Sequence, residues 1–289
     1  MNADVIAACW TTAGAAAPEG PDDRSPVPIC ERVEAAAQAG FTGFGIRHAD
    51  LLAVEDGMGF TNFRRLLDDH GMRHLEIEFL EDWYKTGDLR TRSDLQREDL
   101  LRAADSLGVT RIKVGCHMRG GSYDVDRVAE ELALLGDQAA RVGTIIGVEP
   151  MPFADIQTPA AALEIVVKAG NPSAGVFLDL WHVGRAGIDM QSLSEIPAEY
   201  IAGVELADAD REIRGGLFND TINHRRFPGE GSLDAVGFIK SVAETGYSGP
   251  WGVEMLSIEF REMPVQTAAK RAYESTARLL RNYESDRNN

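Results

Sequence analysis

The chain has 289 residues, 44% of them hydrophobic, enough to bury a large core as one α/β barrel or two ordinary domains. Its 29 Lys and Arg against 46 Asp and Glu leave a net charge of −17, which disfavours nucleic acid and anionic membranes and suits a small neutral or chelating substrate. Three scattered cysteines (Cys9, Cys30, Cys116) have no CxxC spacing, so neither a disulfide framework nor a zinc ribbon is indicated and a cytoplasmic location is expected.

Met1 leads almost directly into an apolar run, 4 to 10, with no basic leader and no stretch of membrane-spanning length; it reads as a first strand. Further strand candidates follow at 43 to 47, 73 to 79, 111 to 116, 144 to 149, 175 to 180, 201 to 206 and 250 to 255. Amphipathic helical segments are read at 29 to 39, 60 to 70, 93 to 107, 124 to 142, 158 to 169, 233 to 245 and about 264 to 280. Several end in Gly before the next strand, as at Leu107-Gly108 and Ala169-Gly170, the punctuation of an αβ loop. Eight β/α repeats with no dividing linker predict a single (β/α)8 TIM barrel, α/β in class, spanning 1–289. The proline-rich stretch 14 to 28 forms a long loop on the face where barrel active sites lie, and is expected to act as a lid.

Four acids follow aliphatic residues at successive strand ends: Glu149, Asp179, Glu205 and Glu254. A charge there needs neutralising. One alone reads equally well as a helix cap or a loop ion pair. Four on consecutive strands point to one divalent metal at the barrel mouth, and all-oxygen ligation favours Mn²⁺ or Mg²⁺, with Co²⁺ as a substitute. His182, three residues after Asp179, is read as a substrate contact beside the metal. Arg225, in the loop after the seventh strand, is a candidate clamp for a substrate oxygen, against the alternative of a solvated basic turn. Glu78 and His117 face the same mouth as candidate substrate-binding residues, and Glu76 shares the parity of Glu78 and points inward one layer lower. Trp10, Phe153 and Trp181 read as packing, with one ring available as a wall for a sugar face. No P-loop, GxGxxG after a strand or GxSxG elbow occurs, which argues against nucleotide cofactors and a serine nucleophile.

The runs Gly147-Val148-Glu149-Pro150, Phe177-Leu178-Asp179-Leu180-Trp181-His182, Val204-Glu205-Leu206-Ala207-Asp208, Arg226-Phe227-Pro228-Gly229-Glu230-Gly231 and Gly249-Pro250-Trp251-Gly252-Val253-Glu254 resemble the sugar phosphate isomerase/epimerase group of the xylose isomerase-like TIM barrels. The likeness runs through nearly the whole chain. It implies metal ligation by Glu149, Asp179 and Glu254, substrate contact by His182, and Glu149 and Glu254 as the acid and base pair. The chain departs from the pattern at the seventh strand, where Glu205 stands in place of the usual His and Asp208 keeps the Asp of His-x-x-Asp. Four carboxylates around a divalent ion leave a formal charge of about −2, so one acid is protonated, a cation such as His182 or Arg225 compensates, or Glu205 is not a ligand.

The chemistry implied is isomerisation or epimerisation of a sugar or ketose through a metal-stabilised enediolate. A metal-dependent dehydratase of an inosose or 3-dehydroshikimate type is the alternative, distinguished by an added acid for the leaving hydroxyl, for which His117, His182 and Glu78 are candidates. The expected partner is a small sugar or cyclic polyol, with no nucleic acid and no membrane, and pairing through barrel helices makes a homodimer an expectation. An abasic-site endonuclease is disfavoured by the charge and by six unclustered histidines. A non-catalytic carbohydrate-binding protein would need a broken metal site.

Overall fold

A computed structural model describes residues 4–18, 20 and 23–287. Eight parallel strands close into a barrel: β1 (Val5–Ala7), β2 (Gly43–Arg47), β3 (His74–Leu80), β4 (Arg111–Val114), β5 (Ile145–Val148), β6 (Ala174–Asp179), β7 (Ile201–Leu206) and, after a short ribbon of β8 (Asp208–Ala209) with β9 (Arg225–Arg226), β10 (Trp251–Val253). The order around the barrel is β1-β10-β7-β6-β5-β4-β3-β2, so β10 closes the ring against β1. The predicted (β/α)8 architecture is therefore observed.

Strand alternation separates two interiors. Ile112, Val114, Ile146, Val148, Val176, Leu178, Val204, Leu206 and Val253 face outward into the helix layer and are buried there. The opposite parity carries charge and glycine: Glu76 and Glu78, Arg111 and Lys113, Gly147 and Glu149, Gly203 and Glu205, Gly252 and Glu254. Barrel interiors are usually filled by branched apolar side chains. Here ion pairs fill it, with Glu76 bound to Arg111 at 3.1 Å in the lower layer, as its parity predicts. The glycines make room: a Cβ on Gly203 would stand 2.4 Å from Arg111 Nη1, and one on Gly252 would stand 2.6 Å from Glu205 Cγ.

The helix pattern is recovered, with local reasons. Pro159–Ala169 is opened by Thr158, whose hydroxyl accepts from Ala161 N–H, and closed by Gly170 in the left-handed region (φ 58°). The helix expected at 93 begins earlier, spanning Gly87–Leu107, and the terminal one runs on as Val265–Arg287, packed against Ile29–Ala39. His48–Gly57 is an additional helix of weak apolar periodicity, and Leu180–Arg185, Leu217–Asn223 and Ile258–Arg261 are short ones within loops. The first strand is shorter than expected because Cys9–Thr12 winds into a 3₁₀ turn. Thr11 Oγ1 there donates to Val253 O (2.6 Å) and accepts from Met255 N–H (3.1 Å), tying the turn to β10. Within the stretch 14 to 28, Glu19, Pro21 and Asp22 lie outside the described residues; Pro18 and Asp23 line the mouth cavity, the position expected of a lid. Among the described residues no helix is long and apolar enough to cross a membrane.

Candidate active site at the barrel mouth

The strand ladder itself delivers the acids. Glu149 N–H donates to Val114 O (3.0 Å) and Glu254 N–H to Leu206 O (3.2 Å), so each continues the sheet one residue past its strand. Asp179 ends β6 directly beside Glu205 of β7. All four are at most 5% exposed. They fall into two groups whose ligand atoms lie within 4.8 Å of one another: Glu149, Asp179 and His182, and Asp179, Glu205 and Glu254. Asp179 is common to both groups, and Glu149 falls in a different group from Glu205 and Glu254.

Asp179 also realises the capping role, since its Oδ1 accepts from Trp181 N–H (2.6 Å) and His182 N–H (3.1 Å) at the start of Leu180–Arg185. Its Oδ2 accepts from Arg225 Nη1 at 2.7 Å. Burial opposes ionisation of Asp179, but the Arg225 guanidinium outweighs it and holds the carboxyl down at about 2.

Arg225 is not a residue of a solvated turn. It is buried in the β9 ribbon, with Nη2 3.1 Å from Glu254 Oε2 and its guanidinium over Trp181, and it lines the cavity. One of the two cations that offset the acids is therefore Arg225. His182 is not the other. Burial, reinforced by Arg225 and Lys113, lowers its imidazole to about 3 against the pull of Asp179, so it is neutral near pH 7. Its Nε2 is 3.9 Å from Glu149 Oε1 and its Nδ1 has no partner.

Because His182 is held below the 6.5 of a free imidazole, the unfolded chain takes up that proton first. The contribution of His182 is complete above pH 6.5 and is lost as pH falls toward 3. Metal-free protein is expected to lose about 1 kcal/mol per pH unit relative to His182→Gln below pH 6.5. Urea unfolding of both proteins from pH 7 to 5 checks this, and parallel profiles would contradict it.

The residue that sequence reading missed is Lys113. Its Nζ lies 2.7 Å from Glu205 Oε1, 3.2 Å from Glu78 Oε2 and 3.4 Å from Glu254 Oε1, with the Phe177 ring at 4.8 Å. The signal was available: Arg111-x-Lys113 on β4 pairs in register with Glu76-x-Glu78 on β3. Even so, positive charge is short. Burial raises the carboxyls of Glu149, Glu205 and Glu254, Lys113 opposes this, and each is pushed up further by its acidic neighbours.

Above the acids opens a cavity of about 660 Å³, sized for a small molecule. Glu78, His117, Glu149, His182, Arg225 and Glu254 all line it. Asp179 and Glu205 lie deeper. His117 is set by two anchors: its N–H donates to Asp155 Oδ1 (3.0 Å), and its Nδ1 lies 2.7 Å from Asp82 Oδ1. Trp10 and Phe153 border the cavity, whereas Trp181 is fully buried packing. Asp208 organises the backbone instead of facing the cavity: its carboxylate accepts from the N–H groups of Ala209, Gly229, Gly231 and Leu233 and so folds the loop after β9.

The donor set suits a divalent cation. Glu149 Oε1 and Glu205 Oε2 are buried without a partner, and hard carboxylate oxygens dominate.

A family model described as xylose isomerase-like TIM barrel matches residues 33–283. The chain is 28% identical to a 3-dehydroshikimate dehydratase of Pseudomonas putida over 242 residues, 83% of this chain but 38% of that protein. The chain thus spans well under half the length of that relative. An inosose isomerase of Bacillus velezensis is 26% identical over 157 residues, 54% of this chain and 55% of that protein. A crystal structure of IOLI protein with a binding zinc atom superposes with a TM-score of 0.83 at 18% identity, covering 97% of this chain and 99% of that one. With the matched model spanning most of the barrel, the chain belongs to the xylose isomerase-like TIM barrel family.

Proposed function

We propose that this chain is a catalytic domain, 1–289, that uses a divalent metal to remove a proton from the carbon next to a carbonyl in a small sugar-derived or cyclic polyol keto compound, and then expels a β-hydroxyl as water. Glu149, Asp179, Glu205 and Glu254 would hold the ion, Mn²⁺ or Mg²⁺ by their hardness; the zinc of the superposable structure supports a divalent ion without deciding which. When bound, the metal polarises the carbonyl and lowers the energy of the enediolate.

The chain's own groups do the rest. Glu149, which lines the cavity and whose Oε1 has no hydrogen-bond partner, takes the proton from carbon. The C–H electrons become the new double bond, the β-carbon–oxygen bond breaks, and the hydroxyl leaves with a proton from His117. Neutral His182 hydrogen-bonds the substrate without adding charge. Phe153, edge-on to His182 at 5.8 Å and to Phe218 at 5.5 Å, forms an apolar wall that excludes water.

The observation that carries this reading is the His117 and Asp82 pair on the cavity wall, an acid placed apart from the carboxylate base. The broad match to a dehydratase agrees with it. A second reading, isomerase or epimerase, is favoured by the separation of Glu149 and Glu254 on β5 and β10 with two strands between them, which allows Glu254 to return the proton from another side. The test is Mn²⁺-supplied protein with 3-dehydroshikimate, inososes and ketoses. Growth of ultraviolet absorbance from a new conjugated bond supports elimination; isomerised product without it supports the second reading.

A further inference from the structure

The acids and cations at the mouth leave a specific role for Lys113. It enters from β4, fully buried, where its ammonium donates to Glu205 and Glu254 and lies 3.2 Å from Glu78 Oε2. The shortest contact, 2.7 Å, is to Glu205 Oε1. The other oxygen of that carboxylate, Oε2, is buried and has no partner. Glu205 is thus gripped by one oxygen and open at the other. Across the site Arg225 pairs with Asp179 and Glu254, neither of which keeps an unpartnered oxygen.

We propose that Lys113 is a positioning residue that makes Glu205 usable as a ligand: it fixes Oε1, leaves Oε2 for the cation, and cancels the charge of the carboxylate. This rests on the reading that the site binds a divalent ion. Five buried carboxylates, Glu78, Glu149, Asp179, Glu205 and Glu254, face only Lys113 and Arg225, an excess of negative charge that a divalent ion offsets. The Glu205 and Lys113 pair together presents a neutral oxygen donor. A ligand neutral in itself has no need of the ammonium and suffers from its repulsion.

A charge swap tests this, read as Mn²⁺ affinity by titration calorimetry or electron paramagnetic resonance on metal-stripped protein. Glu205→His with Lys113 retained weakens Mn²⁺ binding at least 10-fold. Adding Lys113→Met to Glu205→His restores affinity to within about 3-fold of the native chain. Lys113→Gln in the same background carries the same expectation and serves where the methionine variant does not fold. A Lys113 substitution that leaves affinity unchanged beside Glu205→His, or lowers it further, overturns the role. Failure of the native protein to bind Mn²⁺ would instead overturn the metal reading beneath it. Gain of binding on Lys113→Met alone would then show that the ammonium occupies the place of the ion.

Discussion

Glu149→Gln is expected to lower turnover about 10²- to 10⁴-fold, the range lost with a general base. The side chain is buried at the end of β5 and lines the cavity, its Oε1 has no hydrogen-bond partner, and the amide cannot accept the proton. Metal binding weakens with it. Asp179→Asn and Glu254→Gln lose bound metal and activity together while the barrel persists, because each removes a carboxylate charge from the cluster at little cost in shape. Elemental analysis beside steady-state rates checks all three. Unchanged metal content in Asp179→Asn and Glu254→Gln would show that the ion, if bound at all, sits elsewhere.

Arg225→Met carries the largest expected loss of stability. The guanidinium is held between Asp179 Oδ2 (2.7 Å) and Glu254 Oε2 (3.1 Å), with its Nη2 also donating to Thr221 Oγ1 at 2.8 Å. Removing one partner of a buried ion pair costs about 3–5 kcal/mol, since the remaining charge has no water to return to. Here two acids are stranded. Urea unfolding of metal-free protein measures the loss, and a change below about 1 kcal/mol would show that the acids are neutralised some other way.

Most of the frame was legible because a parallel barrel writes itself as short apolar runs separated by helix, Gly and strand. The runs 43 to 47 and 201 to 206 match the observed strands residue for residue. What failed was set by distant contacts: the turn at Cys9–Thr12 is held by β10, some 242 residues away in sequence. His48–Gly57 lacks an apolar stripe to announce it.

The acids were legible for the same reason as the strands, since each directly follows an aliphatic residue at the end of an apolar run, as in Val148-Glu149, Leu178-Asp179, Val204-Glu205 and Val253-Glu254. Their counter-charges are harder to read. Arg225 looks like a loop residue in the sequence because the β8 and β9 ribbon that carries it is two residues long on each side. Lys113 looks like an ordinary strand residue until β4 is paired with β3, when the ladder of acids facing bases becomes visible. His182 does sit beside the metal candidates, but its burial makes it a neutral group rather than a compensating cation.

The most direct test follows the fate of deuterium placed on the carbon next to the carbonyl of 3-dehydroshikimate, an inosose or a ketose, with metal-stripped protein before and after one equivalent of Mn²⁺. Label is expected to reach solvent only after Mn²⁺ is added, and to stay on carbon again in Glu149→Gln. Retention of label by every substrate with Mn²⁺ bound, or equal release without metal, would contradict this.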